Sequence, residues 1–541
     1  MEVAGLILGA VGLVKPICTT IDGILENYSG FGKDAERLRL RFIVSRARLD
    51  SMERVLFDEN KFSPAVDGRL IDHLPERICD DMLALLRQLY GLLMEYAAVR
   101  VQYKMEQQEA AVDVNSLVNL SPEDRIKLLA LDKKRTDASQ QKAVSWARKM
   151  MWVAFDKTST VKLVSEFELW TQRTQTLLES VWWPLPFFQT LGRLQKLEED
   201  EDAKTVGLLR GIGVRKLLVT SPAFMHSQSR AIETISKNCC SSSQVGAFEL
   251  GTLKGSDGHY MVEYKQYGPG GRSLVIDTAV RQRVFQLAAL LHEAPISDPA
   301  LRVLQCTHYF EETPKSRFGL VYLLPSASGA HSQPTTLANI LDANHKGGRP
   351  SLTARIRLAH KLTLCLQRLH TYSWVHKSLR PENVLLFPPE NTLSEIQNAF
   401  EDPRIVGFEY SRQDSDFSDQ FGESEIKRNI YRHPTRWGQP NNRFERIHDM
   451  YALGVILLEI GLWSRADQLD NGVLVTSDMS RNPVAVQNKL LKHAHVRLGF
   501  YAGDTFRDTV VGCLTGQFHE TNITEAFSRL VEGLEAAGET F

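Results

Sequence analysis

The sequence has little that would organise it around metal or disulfide bonds. Its seven cysteines (Cys18, Cys79, Cys239, Cys240, Cys306, Cys365 and Cys513) are odd in number and scattered over 541 residues. None forms the paired CxxC spacing that sets four thiolates around zinc, so they read as reduced thiols of an intracellular protein. Charge of one sign is also missing: 64 Lys+Arg against 65 Asp+Glu leave a formal net charge of -1. The overall balance therefore calls for no nucleic acid as a partner. Neither internal repeats at solenoid periods nor long low-complexity tracts occur. Long apolar runs are lacking as well. Val3 to Val14 (VAGLILGAVGLV) is uncharged, but a spanning helix needs roughly 18 to 20 apolar residues. Glu2 precedes that run and Lys15-Pro16 succeeds it, without the basic flank and small-residue cleavage site of a signal peptide. The expectation is a cytoplasmic protein with no constitutive transmembrane helix.

What is present is length enough for two or three folding units, since single cores stop growing at roughly 250 to 300 residues. From Gly32 to about Trp183 apolar residues recur at helical spacing, as in Leu49, Met52, Val55 and Leu56, then Leu70, Leu74, Ile78, Met82, Leu85 and Leu89. Ser121-Pro122-Glu123-Asp124 reads as a cap, a first-turn proline and two early acids. An acidic run (Glu198 to Asp202) and a helical stretch through Leu208 to Leu218 come next, then a polar Ser/Cys/Asn segment. After Val245 the pattern changes to short β-like runs, Tyr260 to Tyr267 and Arg317 to Leu324, around one amphipathic helix, Val280 to Glu293. From Ser351 it is helical again. The expected division is residues 1–220 as a helical bundle with a connecting helix, 221–244 as a linker, and 245–541 as a second domain.

The string His376 to Asn383, HKSLRPEN, runs into the strand-like Val384 to Phe387. It resembles the catalytic loop of protein kinases, HRDLKPEN, matching at His376, Leu379, Pro381, Glu382 and Asn383. Downstream, HDMYALGVILLEI puts Asp449 and Gly454 at the aspartate and glycine of the family's DxxSxG helix. The resemblance implies an α+β two-lobed protein-kinase-like fold for residues 245–541. The departures carry the chemistry. Ser378 stands where the family has the carboxylate that accepts the substrate proton, and a hydroxyl is not a base at neutral pH. IVGFEYSR aligns Gly407, Phe408 and Glu409 with Asp-Phe-Gly, so glycine replaces the metal-binding aspartate. Loss of a general base alone costs roughly 10² to 10⁴ in rate. This is the pattern of a pseudokinase, with no catalytic residue intact. Lys265 in MVEYKQY resembles the strand lysine of VAIK, while VRQRVFQL offers Arg281, Gln282 and Arg283 but no acid before Glu293 to pair with it. FELGTLKGSDGHY carries Gly251, Gly255 and Gly258 without GxGxxG and reads as a hairpin. By the resemblance, nucleotide contacts fall to Lys265, Asn383 and Glu409, with ATP and Mg²⁺ as a weak or structural ligand rather than a required cofactor. His376, Phe408 and Asp449 fall to architecture.

Gly5, Gly9 and Gly12 lie at i, i+4 and i+7, one stripe of a helix opposite Leu6, Ile7, Val11 and Val14. Each glycine costs about 1 kcal/mol relative to alanine in a helix, which close approach of another backbone offsets, either within the bundle or against sister copies in a membrane. This opening, with FGKDAERLRLRFIVSRARLDSM and Trp152 to Leu178, resembles the fungal HeLo domain of heterokaryon-incompatibility and prion-inhibition proteins over about the first 220 residues. Positions carrying it include Arg46, Leu49, Trp152, Asp156, Lys157, Leu163 and Val164. The resemblance implies a helical bundle that disrupts membranes after self-association, with the Gly5/Gly9/Gly12 segment acting on the lipid. It also implies recruitment to the plasma membrane on activation by an upstream protein trigger. The plan is similar to that of the mixed-lineage kinase domain-like protein of animal necroptosis. The expected function is a non-catalytic signalling protein in which the degenerate kinase domain regulates the bundle in a fungal incompatibility or cell-death response. A weakly active atypical serine/threonine kinase and a cytosolic interaction scaffold are the alternatives.

Overall fold

A computed structural model of the chain describes residues 33–59, 61, 69–74, parts of 79–86 and of 162–178, 190–219, 233–234, 240–245, 248–254, 259–266, 278–325, 334–343, 349–390, 392–408, 411–413, 426–438, 443–476, 478–517 and 534. The chain divides into two compact units, Met1–Leu209 and Arg210–Phe541.

The described elements of the first unit are helical. Helix α1 (Lys33–Phe57) buries Phe42 together with Leu49, Met52, Val55 and Leu56, the last four being the positions that recur in the sequence. Phe42 stacks on Phe167 with ring centroids 4.8 Å apart, a separation at which tilted aromatic pairs are favourable. Helices α2 (Leu191–Glu199) and α3 (Glu201–Val206) come next. Asp200 caps α3 by accepting the Ala203 N–H at 2.8 Å, and Gly207 ends it with φ +78°, the usual pairing of acidic N-cap and left-handed glycine stop. Helix α3 packs on α1, where Asp202 accepts from Ser51 Oγ at 3.0 Å and Arg54 Nε at 2.8 Å and also pairs with Lys61, just past the end of α1. The hydrogen bond from Arg54 and those from Lys61 and Ser51 outweigh burial and hold the Asp202 carboxyl far below the usual carboxylate range.

The second unit is α+β. Helix α4 (Ile212–Val219) belongs to it and packs on α5 (Thr278–Ser297), so the connecting helix expected within residues 1–220 falls on the other side of the division. Its attachment is specific: Gly211 N–H donates to Ser297 O at 2.8 Å, and φ +76° beside the Tyr372 ring leaves no room for a Cβ. Strands β1 (Glu233–Thr234), β2 (Cys240–Val245), β3 (Phe248–Leu253), β4 (His259–Gln266), β5 (Gln305–Glu312) and β6 (Arg317–Leu323) form one sheet in the order β1-β5-β6-β4-β3-β2. All pairs are antiparallel except β1 with β5. β1 and most of β2 lie in the segment expected to be a linker. β2 is an edge strand of sequence CSSSQV, held by its backbone ladder to β3. Such a strand needs no apolar alternation, which is why the sequence pattern does not announce it.

Helix α5 runs longer than the expected Val280 to Glu293 and buries Val284, Leu287, Ala288, Leu291 and Ala294 against β5. Beyond the sheet come β7 (Thr335–Thr336), α6 (Leu337–Asp342), α7 (Leu352–Thr371), β8 (Trp374–Val375), β9 (Val384–Leu386), β10 (Arg404–Ile405), β11 (Arg412–Gln413), α8 (Arg446–Leu462) and α9 (Asp504–Thr515). Every residue of α8 from Ile447 to Leu462 is buried. A helix buried on every side belongs at the centre of a core, and α7 and α9 both pack on it. Gly454 permits the contact with α9, because a Cβ there would lie 2.7 Å from Cys513 Cβ. No single helix among the described residues is long and apolar enough to cross a membrane.

Candidate functional site

The residues singled out around position 376 converge on one segment of the second unit. Helix α7 ends at Thr371, the chain turns through Ser373 with φ +60°, and β8 delivers it to His376. Asp449, in the first turn of α8, fixes the backbone of His376 and Lys377. Its Oδ2 accepts the His376 N–H at 2.7 Å and its Oδ1 the Lys377 N–H at 2.9 Å, while His370 Nε2 lies 3.1 Å from Oδ2. Lys377 is held there at φ +68°, a left-handed conformation uncommon for a residue with a Cβ. Burial alone would push the Asp449 carboxyl up. The hydrogen bond from His370, the electrostatic attraction of the neighbouring imidazoles and the bond from Lys377 outweigh it and leave the group below its ordinary value.

His376 is fully buried and stacks edge-on against Phe408, with centroids 4.8 Å apart. Nε2 faces Val406 O at 3.0 Å and Nδ1 accepts the Ser378 N–H at 3.3 Å. A carbonyl can only accept, so the proton is on Nε2 and the ring is neutral. Burial, the largest influence, depresses its pKa to about 4.

The two positions where the kinase pattern needs carboxylates are structural here. Ser378 Oγ lies 2.7 Å from Arg380 Nη1, which donates to it. Asn383 donates from Nδ2 to Ser378 O at 2.7 Å and to Ser378 Oγ at 3.3 Å. Gly407 has φ +86°, and a Cβ built on it would lie 2.2 Å from Asn383 Nδ2. Only glycine fits both conditions. The hydroxyl of Ser378 and the amide of Asn383 are both buried here, and neither Ser378 nor Gly407 supplies a base or a metal ligand. Among the described residues no group of three or more His, Cys, Asp or Glu side chains is placed to hold a metal ion.

From the sheet, β4 reaches the same segment. Lys265 Nζ donates to Ser411 O at 3.3 Å and Phe408 O at 3.5 Å. Glu263, two residues earlier on the strand, accepts the Gly407 N–H on Oε2 at 2.9 Å. Lys265, His376, Ser378, Asn383, Gly407, Phe408 and Asp449 are thus brought together. Glu409 lies outside the described residues, as do Gly5, Gly9 and Gly12. Glu263, His370 and Arg380 do not stand out in the sequence. For Glu263 a signal does exist: an acid at i−2 from Lys265 must share its face of a strand.

Residues 5–185 match a family model, HeLo, described as prion-inhibition and propagation. The match lies within the first unit and leaves the second without an assigned family. No curated protein matches the chain.

Proposed function

We propose that this chain is a non-catalytic signalling protein in which a kinase-like second unit governs a HeLo-like first unit that acts on membranes in a fungal incompatibility or cell-death response. The observation that carries the non-catalytic half is Gly407. The position that would hold the metal aspartate has a left-handed backbone and the space for its side chain is filled by Asn383. Together with Ser378 in place of a base, this leaves phosphoryl transfer without either of its carboxylates. Supporting the kinase-like reading are the order of the second unit, a sheet with helices α4 and α5 and then a helical region, and the gathering of the HKSLRPEN segment with Phe408 and Asp449. The similarity of residues 5–185 to HeLo supports the role assigned to the first unit.

Lys265 and Asn383 are the described groups through which this unit would engage a nucleotide, in the roles that strand lysine and loop asparagine have in kinases. Self-association and contact with lipid come after activation by an upstream protein, from a resting cytoplasmic form. Incubation of the full chain with γ-labelled ATP, Mg²⁺ and general protein substrates tests the catalytic half. No labelled product is expected in substrate or in the chain itself. Label that disappears in Lys265→Ala and Asn383→Ala variants would overturn it.

A further inference from the structure

The same face of β4 that carries Lys265 also carries a carboxylate aimed at the segment below it. Glu263 and Lys265 are opposite Leu320 and Phe318 in the antiparallel ladder with β6, and residues two apart on a strand point the same way. Their bonds to 407–411 are complementary in sign. The carboxylate takes a backbone N–H, at Gly407, and the ammonium takes two backbone carbonyls, at Phe408 and Ser411. The neighbours of Glu263 on that face, Met261, Leu320 and Tyr322, are buried, and of these only Tyr322 carries a polar side-chain group. Bringing a carboxylate among them has a desolvation cost that the Gly407 N–H helps to offset.

An anion entering this site would seek the groups already engaged: the Lys265 ammonium and the Gly407 N–H. It would also bring its charge beside that of Glu263, and like charges in a partly buried site repel strongly. We propose that Glu263 is a built-in anionic ligand of this site, occupying the Gly407 N–H and competing with the phosphates of a nucleoside triphosphate for the ground between β4 and the 376–411 segment. The proposal rests on the kinase-like reading of the second unit and adds to it what fills the site at rest. It also gives the site a way to report on the sheet. Because one strand holds the segment at both ends, displacement of Glu263 frees Gly407 while Lys265 still holds Ser411.

The test is a thermal-shift titration of the full chain with ATP, with and without Mg²⁺, alongside Glu263→Gln and Glu263→Ala. Glu263→Gln retains the shape and an acceptor for the Gly407 N–H and removes only the charge, so it stands even where the alanine variant fails to fold. A ligand that binds the folded state raises the melting temperature. Millimolar ATP is expected to leave the wild-type melting temperature unmoved and to raise that of the cooperatively melting variants by about 2 °C or more. Adding Lys265→Ala should abolish the rise. A wild-type rise equal to that of the variants would overturn the proposal, as would folded variants that show none. A rise that survives Lys265→Ala would instead remove the kinase-like reading, because the nucleotide would then be bound elsewhere.

Discussion

The amide of Asn383 lies where a side chain on Gly407 would have to go, 2.2 Å from the ideal Cβ position. A substitution at Gly407 therefore meets two obstacles, the collision and φ +86°. Gly407→Ala is expected to cost about 2–4 kcal/mol by chemical denaturation, the sum of left-handed strain and a forced shift of Asn383. Adding Asn383→Ala should recover part of that cost, giving a non-additive double-mutant cycle. Ser378→Asp with Gly407→Asp should not create phosphoryl transfer, because the second aspartate cannot be seated beside Asn383.

Asp449 should be the most sensitive single position in the segment. Its buried carboxylate accepts from His376, Lys377 and His370 at 2.7 to 3.1 Å. Asp449→Asn turns an NH₂ toward at least one of these N–H groups and is expected to destabilise the second unit by about 3–5 kcal/mol. The sign of its pH dependence comes from the lowered carboxyl pKa. The stability it supplies is complete above the ordinary aspartate range and is lost on acidification through the depressed folded value. Urea melts of wild type and variant should converge as the pH falls through that range.

His376 gives a second window. Its folded pKa is about 4 against an ordinary value of 6.5, so the unfolded chain takes up the proton first. The stability the neutral ring supplies is present above about pH 6.5 and is lost as the pH falls toward 4. His376→Phe keeps the stacking on Phe408, removes both ring hydrogen bonds and removes the titration. Its stability deficit relative to wild type is expected to be largest near neutral pH and to shrink by about 2 kcal/mol by pH 5.

In the first unit, Asp202 ties α3 to α1 through Ser51 and Arg54 and to Lys61 beyond the end of α1. Asp202→Ala leaves Lys61 without one of its two carboxylates, the other being Asp200 at 2.9 Å. A loss of about 1–3 kcal/mol is expected from removal of a mostly buried charge partner. Arg54→Ala should cost under about 1 kcal/mol, since that guanidinium is half exposed and solvent screens the pair. Differential scanning calorimetry at low and high salt separates the two, with the Arg54 effect fading as salt rises.

The sequence made legible what depends on local order: α1 from its apolar spacing, β4 and β6 from short β runs, α8 from the HDMYALGVILLEI string, and β9 from the strand-like run that follows Asn383. It hid what depends on pairing at a distance. Strand β2 is polar and exists through its ladder with β3. Helix α4 comes after an acidic run that belongs to the first unit, yet its packing partner α5 lies far downstream. Glu263 reads as an ordinary strand acid until the fold brings Gly407, 144 positions away, under its carboxylate. Likewise Gly407 reads as a missing ligand from sequence, whereas φ +86° and Asn383 make glycine a requirement of the packing.

Control of the first unit by the second is the heart of the proposed function, and dye release from anionic liposomes reads it out. Residues 1–209 alone should release dye, the full chain should release far less until activated, and Gly9→Leu in the fragment should suppress release by blocking close helix approach. Equal release by fragment and full chain would contradict control by the second unit. A folded fragment that neither binds nor permeabilises the liposomes would contradict the membrane role itself.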